Sequence, residues 1–183
     1  MRLGVFKSAV LAALLLAVSL GTPAMARQFT DDEKQGLADA IQRFDDAMTS
    51  GDFTTVVATI PPKVMQAMAD KYGAPVDQLR EMVIQQTEQA MKTVKLVSYG
   101  MDLANADYKE TADGVPYALV PTETVMDMGS GKIKATAATL AILDDATFYL
   151  VRVSEKAQVE LFKSVYPSFA DVEFPEGKME PVQ

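Results

Sequence analysis

VPYALVPTETVMDM (residues 115–128), GSG (129–131), KIKATAATLAIL (132–143), DD (144–145) and ATFYLVRV (146–153) follow one another without interruption. Three runs rich in β-branched and aromatic residues are separated by short turn signals, the pattern of an antiparallel meander. Tyr117, Leu119, Glu123 and Val125 fall on one side of the first run, and Val120, Thr122, Thr124, Met126 and Met128 on the other. Pro116 and Pro121 each remove a ladder donor, which predicts bulges or an edge location. The later strands are Ile133–Leu143 and Phe148–Val153.

Upstream, Val97, Tyr99, Met101 and Leu103 alternate with Leu96, Ser98, Gly100 and Asp102, which predicts a fourth strand over about 96–108. Asp113-Gly114 would join it to the meander by a tight hairpin. Before residue 95 the period changes from two to 3.6. Thr30-Asp31-Asp32-Glu33 is a capping box, and Leu37, Ile41, Phe44 and Met48 follow at helical spacing. The first helix therefore spans about 31–49, ended by Ser50-Gly51-Asp52. A short second helix runs from Phe53 to Ile60, weakened by its β-branched run, and Pro61-Pro62 separates it from a third that ends at Gly73. Pro75 opens the longest helix, about 76–94. After the strands, Ser154 would cap a short helix over 155–165, residues 168–174 add a short extended piece, and the polar tail 175–183 is expected to fray. The fold class is α+β, with N-terminal helices packed on a curved four-stranded antiparallel meander and a short C-terminal helix.

Composition bounds function. Arg2 and Lys7, an apolar run from Val10 to Leu20 and Ala24-Met25-Ala26 make a cleavable secretory leader over 1–26. The remaining 27–183 would be a single domain, periplasmic or secreted. All 25 acidic residues lie after position 26 and two of the 17 basic ones before it, so the mature charge would be −10. An acidic chain of that kind does not attract nucleic acid or anionic membrane surfaces at long range. After cleavage no membrane anchor is expected. The chain holds no cysteine and no histidine. That excludes Ser-His-Asp and Cys-His nucleophiles, His or Cys zinc sites and thiol redox chemistry. No glycine-rich phosphate loop is present either, and no cofactor is implied.

Phe44, Gly51-Asp52-Phe53 and the run Asp144 to Val151 carry a resemblance to the NTF2-like, or cystatin-like, α+β superfamily. In that superfamily an opening helix often ends in a Gly-Asp-aromatic turn, and a late strand reads turn, aromatic, aromatic, aliphatic. One departure is the missing strand between the early helices. The resemblance implies a sheet wrapped around a helix, leaving a conical cavity. Some members are ketosteroid-isomerase-like enzymes; others bind, scaffold or dimerise, so fold alone assigns no function.

Four chemistries remain open. A general base, Asp102, Glu123 or Asp127, beside Tyr99 or Tyr117 would suit an isomerase or dehydratase, provided that burial raises the acid; strand acids are more often solvated. Met126 and Met128, or Met65 and Met68, are soft copper(I) ligands, or simply core filler. Asp31-Asp32, Asp45-Asp46 and Asp144-Asp145 are oxygen-rich but lack calcium-loop spacing, and read as a helix start, an exposed helix face and a turn. Last, Leu79, Met82, Val83 and Met91 of the long helix would face Tyr99, Met101, Tyr117 and Leu119 of the sheet across an apolar pocket. The expectation is a non-enzymatic binding domain for a small apolar ligand or a protein partner, with a homodimer through the sheet face. The alternatives are the acid–tyrosine enzyme and a structural accessory of an envelope complex.

Overall fold

The computed structural model describes residues 29–182, so the leader expected over 1–26 lies outside the described residues. Thr30 opens helix α1 (Asp31–Ser50) as the capping box requires: its hydroxyl accepts from the Glu33 N–H at 3.1 Å and its own N–H donates to Glu33 Oε2 at 2.8 Å. Gly51, with φ near +75°, ends α1 in the left-handed conformation that only glycine adopts without strain. Asp52 then caps α2 (Phe53–Ala58), accepting from the Thr55 N–H and hydroxyl at 3.1 and 2.6 Å. Pro62 at the first turn starts α3 (Pro62–Tyr72), and α4 (Val76–Thr93) follows. These helices make a small core of their own from Val57, Met65, Ala69 and Leu79.

The strands are β1 (Lys95–Met101), β2 (Asp107–Glu110), β3 (Pro116–Asp127), β4 (Lys132–Asp144), β5 (Thr147–Arg152) and β6 (Lys178–Val182). Long β3 and β4 pair antiparallel from Tyr117↔Ile142 to Asp127↔Lys132. On the outer edge of β3, β1 lies beside residues 122–127 and β2 beside 116–119. On the outer edge of β4, β5 pairs with 139–144 and β6 with 132–136. The sheet is thus curled and four ribbons wide, each edge built from two short strands.

Five local expectations are corrected. The strand predicted over 96–108 is broken in two. The Asp102 N–H reaches the Pro121 carbonyl at 2.8 Å, but Pro121 has no N–H to return, and Asp102 instead caps a 3-10 turn at Leu103–Asn105. Within β1 the register slips between Leu96 and Ser98. Val97 is the extra residue of this bulge, which brings Leu96 onto the same face as Tyr99 and Met101. The C-terminal helix α5 (Lys156–Val165) starts without Ser154 as its cap: Glu155 holds the N-cap position, and the Ser154 hydroxyl accepts from Arg152 Nε at 2.8 Å. Finally, the tail forms β6, whose Pro181 is tolerated because the strand lies at an edge. Residues 167–169 form a 3-10 turn, where an extended piece was expected.

Each sheet face carries its own core. Tyr117, Leu119, Leu140 and Ile142 point to α5 and pack with Phe162 and Phe169; those two rings meet edge to face at 5.1 Å. Ala118, Val120, Ala141 and Leu150 point to α1 and pack with Phe29, Leu37 and Ile41.

Candidate functional site

The α1 face is filled only along the Ala118 half of β3. Alternation puts Thr122, Thr124 and Met126 of β3 on that face too, opposite Ala137, Ala135 and Ile133 of β4 in the ladder. Here α1 is passing away to its C-terminus, and small side chains on β4 do not fill the gap. The result is a cavity of about 580 Å³. Its floor is Thr122, Thr124, Met126, Ala135 and Ala137, with Tyr99 and Met101 on the β1 side and Leu150 and Arg152 on the β5 side. Phe44 and Met48 of α1, Val57 and Ile60 of the α2 region and Met68 of α3 form its walls. Val83, Thr87 and Met91 of α4 roof it, and Gln158 and Leu161 of α5 reach it past the end of β5. Lys71, Tyr72, Arg152 and Gln158 are exposed lining residues and mark where it meets solvent.

The polar groups inside are few. The Thr122 and Thr139 hydroxyls are 2.8 Å apart, and Thr122 donates to the Val120 carbonyl at 3.1 Å, so these two satisfy each other. The Tyr99 ring packs against Phe44 with centroids 5.6 Å apart. Burial pushes the Tyr99 phenol well above its ordinary value; nearby Asp45 adds to the rise and Arg152 opposes it. Asp45 projects from α1 with Oδ1 sealed from solvent and without a hydrogen-bond partner among the described residues. Burial, and then its neighbour Asp46, raise its pKa.

Of the pocket residues expected from sequence, Val83, Met91 and Met101 line the cavity, as does Tyr99. Leu79 does not: it is buried among the helices against Met65 and Ala69. Met82 lies on the outer side of α4, 43% exposed. Tyr117 and Leu119 lie in the α5-side core, because their parity along β3 is opposite to that of Thr122 and Thr124. None of the three candidate acids reaches the cavity. Asp102 is consumed as the 3-10 cap, with Asn105 N at 3.2 Å and Asn105 Nδ2 at 2.7 Å. Glu123 points to the other face, half exposed and ion-paired with Lys134 at 2.5 Å. Asp127 shares that parity and accepts from the Gly129 N–H at 2.9 Å in the β3–β4 turn. The acid near a cavity tyrosine is instead Asp45, assigned from sequence to an exposed helix face. A signal was available, since Asp45 stands four residues after Ile41 and three before Met48 in the apolar stripe.

The methionine pairs are separated as well: Met65 is buried among the helices, Met68 and Met126 line the cavity, and Met128 is 45% exposed. Among the described residues no three acidic side chains converge as ligands for a metal. No family model, no curated protein and no solved structure matches this chain.

Proposed function

We propose that the chain is a non-enzymatic binding domain that holds a small, largely apolar molecule between the α1 face of its sheet and helix α4. The observation that carries this reading is the 580 Å³ cavity itself, a size suited to a drug-sized ligand, with apolar walls and a few scattered hydroxyls. Five methionines, Met48, Met68, Met91, Met101 and Met126, stand in its lining. Unbranched thioethers repack readily around guests of varied shape. The acid–tyrosine enzyme is less favoured, because no carboxylate stands among the described lining residues to exchange a proton with a guest. The layout of a curled antiparallel sheet with α1 on one face and the short α5 on the other supports an NTF2-like assignment, and the Arg2-to-Ala26 pattern supports export; both belong to the proposal.

The experiment is titration of the full chain with the fluorescent apolar probe N-phenyl-1-naphthylamine. Saturable 1:1 enhancement is expected. Thr124→Trp, which projects an indole from the cavity floor toward α4 in a residue type that strands accept, should weaken binding about tenfold or more without loss of fold. Unchanged binding in that variant would move the site elsewhere. Native mass spectrometry of protein purified from its own cells then identifies the occupant.

A further inference from the structure

The cavity wall is apolar, but its charge is one-sided. Two ionised side chains line it, Lys71 and Arg152, and no Asp or Glu stands among its described lining residues. The chain as a whole carries −8, so two cations with no acid in the same lining run against its composition, although Asp45 stands behind Tyr99. Lys71 and Arg152 form no ion pair with a described residue, so neither charge is committed to a fixed acid, unlike Lys63 or Lys134.

Arg152 is held ready for a guest. Its Nε donates to the Ser154 hydroxyl at 2.8 Å, which orients the guanidinium and leaves both terminal nitrogens uncommitted among the described residues. Ser154 is available for this because α5 begins beyond it, at Lys156, and takes no side-chain cap from it. Tyr99 lines the same cleft, and its phenol makes no hydrogen bond with a described residue. Arg152 and Tyr99 share the lining; of the charges acting on the phenol, Asp45, which is not a lining residue, raises its pKa more than Arg152 lowers it. A planar fork of donors and a phenolic donor therefore border a slot of apolar walls. A guanidinium fork matches a carboxylate in two parallel hydrogen bonds, which a neutral hydroxyl cannot reproduce. The acidic exterior does not forbid an anion, because at physiological salt charges more than about 8 Å away are largely screened.

We infer that the cavity takes an anionic amphiphile, a medium- to long-chain carboxylate, with its head on Arg152 and Tyr99 and its tail among Val83, Met91 and Met126. Lys71 is the second cation at the mouth. This rests on the apolar-binding reading above and names the ligand class of that site.

The test displaces N-phenyl-1-naphthylamine from the full chain with dodecanoate, 1-dodecanol and dodecyltrimethylammonium, which share a tail and differ in head. Dodecanoate should compete about tenfold more tightly than dodecanol, the increment of one charge-assisted contact, and the cation least well. Arg152→Gln should bring dodecanoate to the level of dodecanol, both measured on that variant. Arg152→Lys should restore part of the difference, keeping the charge but losing the fork. Tyr99→Phe, which keeps the ring against Phe44, should lower the ratio of dodecanoate to dodecanol affinity. Because Arg152 is exposed, the preference should shrink as salt is raised. Equal affinity for dodecanoate and dodecanol, or an Arg152→Gln variant that keeps the full preference, overturns the head assignment while leaving the apolar site standing. Failure of the naphthylamine probe and of all three amphiphiles to bind overturns the site itself.

Discussion

Asp45 is held in an environment that disfavours its charge. Its Oδ1 is buried without a hydrogen-bond partner among the described residues, and its pKa is raised by burial and by Asp46. A carboxyl whose folded pKa lies above its unfolded value binds more protons folded than unfolded between the two, so stability falls as pH rises through that window. Above the window the penalty is complete; below the unfolded value, near about 3.9, it is absent. Asp45→Asn should therefore raise the melting temperature at pH 7, with the gain closing as pH falls toward 4. A variant less stable than wild type at pH 7 would mean that the charge has a partner.

Asp144 shows the opposite sign. Burial pushes it up, but the Lys63 ammonium at 2.8 Å and the Tyr166 hydroxyl, also at 2.8 Å, more than offset this and hold its pKa below the usual carboxylate range. The resulting stability is present above the unfolded value and is lost as pH falls through the lowered folded one. Tyr166→Phe should cost about 1 kcal/mol at pH 7 in urea unfolding, the worth of one hydrogen bond to a partly screened charge, and less below about pH 4. For Asp45 the sequence carried only the signal of its place in the apolar stripe, and for Asp144 it carried none. Asp144 was read as a turn residue, which it is, but its partners lie 81 and 22 positions away.

At the scale of elements, local chemistry was legible and long-range crowding was not. The α1 capping box, the Gly51 stop, the Pro62 start and the β3–β4–β5 meander follow from short patterns, and each forms where those patterns place it. The split of β1 from β2 depends on Pro121, a residue in a different strand. The bulge at Val97 breaks a period-two run that on its own reads as regular. The most consequential misreading followed from parity. Tyr117 and Leu119 are the bulkiest apolar residues of β3, yet bulk marks the filled face. The cavity lies on the opposite face, over Thr122 and Thr124, because threonine and alanine leave space.

Edge strand β6 is a further case. It is polar, contains Pro181 and gives no strand signal, yet Gly177 lets the chain enter it. A Cβ placed on Gly177 would come within 2.9 Å of Ser154 Cβ. Gly177→Val should thus displace β6 and cost about 1–3 kcal/mol by overpacking, read as lost amide protection in residues 178–182. Full protection with unchanged stability would show that the contact relaxes freely. In the β4–β5 turn the demand for glycine goes unmet: Ala146 has φ near +61°, so Ala146→Gly should stabilise the chain by about 0.5–1 kcal/mol in the same urea assay.

Taken whole, the molecule packs its sheet unequally. The α5 side is dense with aromatic contacts, Tyr117 to Phe169 at 5.2 Å and Phe162 to Tyr166 at 4.9 Å. The α1 side keeps an unfilled cleft beneath α4, a helix with Leu79 as its one buried residue. Dispersion contacts missing from the cleft lining are contacts that a guest would restore. The two halves should therefore respond differently to ligand. In the free chain, amides of α4 should exchange soonest among the long helices, and those of β3 and β4 beneath α5 last. Ligand at about a hundred times its Kd should add about 2.7 kcal/mol to the unfolding free energy, and roughly 5–10 °C to Tm for a chain of this size. The new protection should concentrate in α4, β1 and the end of α1, which border the cavity. Protection confined to α5 and β6 would place the guest on the opposite face, in the gap lined by Leu119, Pro121 and Phe174. Hydrogen exchange with and without dodecanoate thus decides which face of the sheet the ligand occupies.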